Sequence, residues 1–158
     1  MENTLLRLNA YTEQLITGGH LDRKTVENGL HRITTTTDAA EATKDADLLS
    51  ESVTEDPILK GAVFAQFNKL CPERTIFTTN TSLLVPSLIA EATGRPDRFV
   101  AFHFHQPAWT DNVADIMPHP GTSAKVVTLV RGICRQRVAG RKNRAWILYL
   151  PGSGVSEI

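Results

Sequence analysis

The sequence predicts an α/β domain built on a largely parallel sheet. Three observations carry this: short apolar or β-branched runs alternate with longer amphipathic segments, polar clusters follow the runs, and the amphipathic segments open on capping residues. A chain of 158 residues fits one domain of ordinary size.

The elements follow in order. Leu5, Leu8, Leu15 and Ile16 lie on one helical face, and Gly18-Gly19 ends that helix. Asp22 suits the cap of a second helix near 23–31, with Val26 and Leu30 four apart. Residues 1–32 therefore read as a helical hairpin, and 33–150 as the body of the domain. Ile33 to Thr37 is β-branched and reads as a strand, and Asp38 caps a brief helix. Asp47 to Val53 reads as a buried strand. Asp56-Pro57 opens a helix to about residue 70, since proline suits the first turn. Thr75 to Thr79 and Phe99 to Phe104 are strands, with a short helix at Pro86 to Thr93 between them, ended by Gly94 and Pro96. Val113 to Met117 is a further strand candidate, Thr122 to about Cys134 a helix capped by threonine or serine, and Trp146 to Leu150 the last strand. For residues 151–158 no order is expected.

Composition bounds the partners. Hydrophobic residues make up 41%, charged residues 22%, and the formal net charge is zero. That balance disfavours nucleic acid or an anionic membrane as the main partner, although Arg131 to Arg144 is locally basic. No apolar run approaches the roughly 20 residues of a membrane span. The N-terminal stretch is amphipathic rather than an apolar leader. Cys71 and Cys134 are isolated and lack metal-type spacing, which predicts reduced thiols and a cytoplasmic location.

In a parallel sheet, ligands bind beyond the carboxyl ends of the strands. Glu51–Glu55, Asn80–Ser82 and His103–Gln106 all fall there and should share one edge. His103 closes an apolar strand, where an imidazole can accept a proton near neutral pH. His105 faces the same side by strand alternation. His119, in a Pro-His-Pro-Gly segment, reads as a turn residue. A His-x-His pair is a partial zinc pattern, but no third ligand follows at a sensible spacing, so no metal is expected. Ser82, in Thr-Thr-Asn-Thr-Ser, offers a short donor at the edge or caps the next segment. Asp115 lies in an apolar run, where a carboxylate is costly to bury without a partner. A histidine is a plausible partner, and the alternative is a solvent-facing strand residue.

Together, ADLLSESVTEDPILK, TIFTTNTSLL, EATGRPDRFVAFHFHQP and NVADIM resemble the NAD-binding domain of 3-hydroxyacyl-CoA dehydrogenases, over roughly residues 1–130. The resemblance implies a partial Rossmann-like fold and NAD as cofactor. It also implies hydride transfer between NAD and a 3-hydroxyacyl-CoA or related 3-hydroxy acid. By position it makes His103 the base, Asp115 its orienter, and Ser82 the contact to substrate and nicotinamide. Glu55, Lys60 and Gln106 become cofactor contacts. Some positions depart from the family pattern: Asp115 replaces the usual glutamate, Gln106 the box asparagine, and His105 the box's second phenylalanine. Beyond about Gly132 the match is poor, with Tyr149 roughly where the family has an asparagine.

The family's opening strand and Gly-x-Gly-x-x-Gly loop have no counterpart in this sequence, nor does its helical dimerisation domain. The expectation is therefore a truncated copy. Its parallel sheet should have an unpaired central position, and its affinity for NAD should be far below that of a complete domain; micromolar NAD binding by the chain alone would refute this. The competing expectations are an inactive fragment or interaction module pairing its open sheet edge, and a zinc module on His103 and His105. Homo-oligomer formation is left open.

Overall fold

A computed structural model describes residues 2–106, 113–138 and 147–149. The N-terminal hairpin is present as α1 (Glu2–Thr17) and α2 (Arg23–Leu30). Gly19 adopts φ +70°, and the backbone amides of Gly19 and His20 return to the carbonyls of Ile16 and Leu15. This double bond with a left-handed glycine satisfies the last carbonyls of α1 and turns the chain. The Asp22 carboxylate then accepts from the Thr25 amide at 2.8 Å, as its sequence position predicts.

Asp38 caps the five-residue α3 (Ala39–Thr43), and Asp56 caps α4 (Pro57–Asn68), whose first residue is the proline. The strand expected at Ile33 to Thr37 is absent. Its β-branched residues favour an extended chain, but a strand needs a ladder partner, and among the described residues none lies alongside. Thr36 instead binds Glu41 and the Asp38 amide, which ties the segment to α3.

The strands are β1 (Leu48–Glu51), β2 (Ile76–Thr79), β3 (Phe99–Phe104), β4 (Ala114–Pro118) and β5 (Ile147–Tyr149), in sheet order β4-β3-β2-β1-β5. β5, β1, β2 and β3 run parallel, and β4 is antiparallel to β3. The position beside β1, expected to be unpaired, is taken by β5, with Leu49 opposite Ile147. A short apolar run thus supplies the backbone partners that the open edge required.

Alternation sorts the core into two layers. Leu49, Phe77 and Phe99 stand in register across the sheet and pack against Phe64 and Phe67 of α4. Leu48, Ile76, Val100 and Phe102 face Val126 and Val130 of α5 (Ala124–Val138), whose Ser123 accepts from the Val126 amide. Burial on both faces encloses all of β1 and β2, including the polar Ser50, Glu51, Thr78 and Thr79 in their second halves. Each buried phenylalanine contributes about 1.5–3 kcal/mol.

Between β2 and β3 the expected single helix is a series of short 3₁₀ turns, Pro86–Leu88, Ala90–Thr93 and Pro96–Arg98. Gly94 ends the second at φ +69°, where a Cβ would meet the Asn68 side chain. Arg95, 8% exposed, then threads back over the Phe77 ring to bind Asn68 and the Pro72 carbonyl. No described helix is long and apolar enough to cross a membrane.

Candidate functional site

The carboxyl ends of β1, β2 and β3 lie side by side, because Glu51 pairs with Thr79 and Thr79 with Ala101. At the end of β1, Glu51 and Lys60 are each 1% exposed. The Lys60 ammonium donates to both Glu51 oxygens at 2.9 and 3.1 Å and to the Val53 carbonyl at 3.1 Å. Glu51 also accepts from the Thr79 hydroxyl at 2.6 Å and from the Val53 amide. Lys60 reaches Glu55 Oε2 at 3.3 Å as well. A buried charge survives only when paired and hydrogen-bonded, and these partners provide for both ions.

Glu55 bridges outward from this group. Its Oε1 accepts from the Thr81 hydroxyl and from the amides of Ser82 (3.2 Å) and Leu83 (3.1 Å). Burial works to raise the Glu55 carboxyl, but Thr81, Leu83 and Lys60 outweigh it and hold it below its ordinary value. The Asn-Thr-Ser turn is therefore clamped to the loop after β1. Asn80 ties the same turn to the next strand, since its Oδ1 accepts from the Phe104 amide at 2.9 Å. These contacts bring Ser82 to the edge on which His103 ends, and they leave its side chain exposed.

His103 stands directly opposite Asp115 in the antiparallel β3–β4 pair. Residues so opposed project from the same face, and so does the residue two positions on. The ladder continues beyond β3, where the His105 amide donates to the Val113 carbonyl at 3.1 Å. His105 thus joins the group. Asp115 Oδ2 lies 2.8 Å from His105 Nε2 and 3.6 Å from His103 Nδ1. The aspartate hydrogen-bonds His105 and sits one charge contact from His103. Its carboxyl is lowered, first by the His105 bond, against a smaller opposing effect of burial, with His103 adding to the lowering. All three side chains are open to solvent, at 23% for His103, 41% for His105 and 51% for Asp115.

The structure therefore brings His103 and Asp115 together, and places Ser82, Glu55 and Lys60 on the same sheet edge. Gln106 is exposed just past β3. Lys60 lies behind Glu55 with its donors engaged by the protein. His119 serves as a turn residue: its Nε2 donates to the Pro96 carbonyl at 2.8 Å while Nδ1 accepts from Gly121. Cys71 is a buried free thiol. The side chains of Cys134 and Tyr149, and residues 151–158, lie outside the described residues. Sequence reasoning did not find the roles of Glu51, Thr79 and Asn80. The available signal was a glutamate closing an apolar strand, which needs an internal cation.

The edge fits one end of a dinucleotide. Ser82 and Gln106 present polar groups there beside an imidazole. The pyrophosphate end has no comparable cradle among the described residues, because the N-termini of α2, α3 and α4 are capped by their own aspartates. An anion would need those amides free.

A parallel sheet with helices on both faces and a polar edge at its strand ends defines a dinucleotide-domain architecture. Residues 1–142 match the family model described as 3-hydroxyacyl-CoA dehydrogenase, NAD binding domain, and the chain belongs to that family. It is 36% identical to the mitochondrial hydroxyacyl-coenzyme A dehydrogenase of Rattus norvegicus over 110 residues, covering 70% of this chain and 35% of that protein. The 3-hydroxybutyryl-CoA dehydrogenase of Escherichia coli K12 superposes with a TM-score of 0.79 at 30% identity, over 85% of this chain and 28% of that one. A diketoreductase described as acting on dicarbonyl compounds superposes at 0.76 with 34% identity, over 82% and 46%. The chain thus spans about a third of the length of the rat relative.

Proposed function

We propose that this chain carries the proton-transfer part of an NAD-dependent 3-hydroxyacyl-CoA dehydrogenase. The observation that supports it best is His103 at the sheet edge, beside Asp115 and on the edge to which Asn80 and Glu55 hold the Ser82 turn.

In the forward direction His103 accepts the proton of the substrate's secondary hydroxyl. With Nδ1 turned toward Asp115, Nε2 is the nitrogen left for this step. The carboxylate stabilises the imidazolium that forms. Ser82 donates to the reacting oxygen and so favours the alkoxide-like transition state. Gln106 and Ser82 hold the nicotinamide end of the cofactor, and Lys60 positions Glu55, which fixes the Ser82 turn. NAD, when bound there, would supply the acceptor for the hydride of the carbinol carbon. The products are a 3-ketoacyl thioester, NADH and one proton.

The replacement of phenylalanine by His105 makes this face more polar, which favours a compact or polar 3-hydroxyacyl group over a long alkyl chain. A cytoplasmic location is part of the same reading and rests on two isolated cysteines that lack metal-type spacing. The test is NADH formation by the purified chain across 3-hydroxyacyl-CoA esters of increasing length. Turnover should be highest with the shortest and should fall about 10²–10⁴-fold in His103→Gln. Equal turnover in that variant, or a preference for long chains, would contradict the proposal.

A further inference from the structure

We propose that His103, His105 and Asp115 form a binding site for a transition-metal ion of the zinc type. The three side chains offer one donor atom each, and these atoms all lie within 4.8 Å of one another. Zinc holds nitrogen and oxygen donors at about 2.0–2.2 Å, which places tetrahedral donors about 3.3 Å apart. The two carboxylate–imidazole separations, 2.8 and 3.6 Å, bracket that value.

The backbone fixes this grouping. Two histidines at alternate positions of β3 and its extension share a face, and the antiparallel register sets Asp115 opposite the first of them. The third ligand therefore comes from the neighbouring strand, where no spacing rule along the chain finds it. Side-chain rotations that bring donors now within 4.8 Å of one another to about 3.3 Å would close the set around an ion. Solvent reaches all three groups, so the ion enters directly and water completes the coordination.

The donor set decides the class of ion. Two imidazoles and one carboxylate suit zinc, cobalt, nickel and copper, whereas magnesium and calcium require oxygen donors. In the family pattern, phenylalanine stands at the position of His105 and removes one of the three donors. A metal site here is thus a property of this chain's departure from the pattern.

One consequence rests on the dehydrogenase reading. An ion held through Nδ1 of His103 leaves the ring hydrogen on Nε2, so His103 no longer accepts the substrate proton. Bound metal would then switch the site off.

The test is titration of the full chain with cobalt(II), followed by its visible ligand-field absorption, with zinc as competitor. The expected result is one ion per chain with an intense tetrahedral-type spectrum, displaced by zinc. His105→Phe should weaken binding by more than about tenfold, since even outer-shell losses cost that much. His31→Ala should leave it unchanged, and His105→Gln replaces His105→Phe if the latter does not fold. Absence of the cobalt spectrum in the unmodified chain, or unchanged affinity in a folded His105 variant, overturns the site. The two readings separate cleanly. Cobalt uptake by a chain whose metal-free form reduces no NAD sinks the dehydrogenase and keeps the metal site, and NAD reduction by a chain that takes up no cobalt does the reverse.

Discussion

Two charged groups stand on one sheet edge and have opposite fates. At the end of β1, Glu51 and Lys60 are sealed from water and bonded to each other, to Thr79 and to the loop backbone. At the end of β3, His103, His105 and Asp115 are open to solvent and hold one another through a single carboxylate. The first group is a scaffold, since moving any member strands a buried charge. The second keeps nitrogen and oxygen atoms able to take a proton or an ion. Burial, rather than residue type, separates structure from chemistry here.

The largest test of that contrast is Lys60→Met. It leaves Glu51 charged, buried and unpaired, and should cost about 3–5 kcal/mol in denaturant unfolding. The double change Glu51→Leu with Lys60→Met should recover most of the loss. A single variant as stable as the parent would mean that the pair is not a scaffold. Thr79→Val removes one hydroxyl donor to Glu51 and should cost about 1.5–3 kcal/mol by the same measurement.

Acid provides the next comparison. The folded Glu55 carboxyl lies below its ordinary value of 4.5, so its stabilising effect is present above that pH. It is lost as pH falls through the lower folded value. The parent should therefore lose stability on acidification below about pH 4.5 more steeply than Glu55→Gln, and parallel curves would refute the clamp on the Ser82 turn. The smallest stability effect belongs to the exposed group. Asp115→Asn, a change at an exposed side chain, should leave the unfolding midpoint close to that of the parent. It should nevertheless reduce turnover, and a large destabilisation would show that Asp115 is scaffold after all.

Much of this was legible in the sequence. Asp22, Asp38 and Asp56 mark helix starts because their carboxylates bind amides a few residues away, a purely local chemistry. The strands at Leu48, Ile76 and Phe99 announce themselves as short apolar or β-branched runs between capping and turn residues. Ile33 to Thr37 misled because β-branching reports an extended backbone and not a pairing partner. The Pro86 to Thr93 segment was placed correctly but splits into 3₁₀ turns. The pairing of His103 with Asp115 was anticipated, whereas the closer bond of Asp115 to His105 was not, because it depends on the register of β3 against β4. Lys60 was read as a cofactor contact on family pattern, and only the fold reveals the glutamates that surround its ammonium.

The convergence of His103, His105 and Asp115 on one face is most directly tested by imidazole nitrogen NMR of the chain and its Asp115→Asn variant. The structure predicts that the ring resonances of both His103 and His105 shift, His105 the more, while those of His119 stay in place. Unmoved His103 and His105 resonances in a folded Asp115→Asn chain would contradict it.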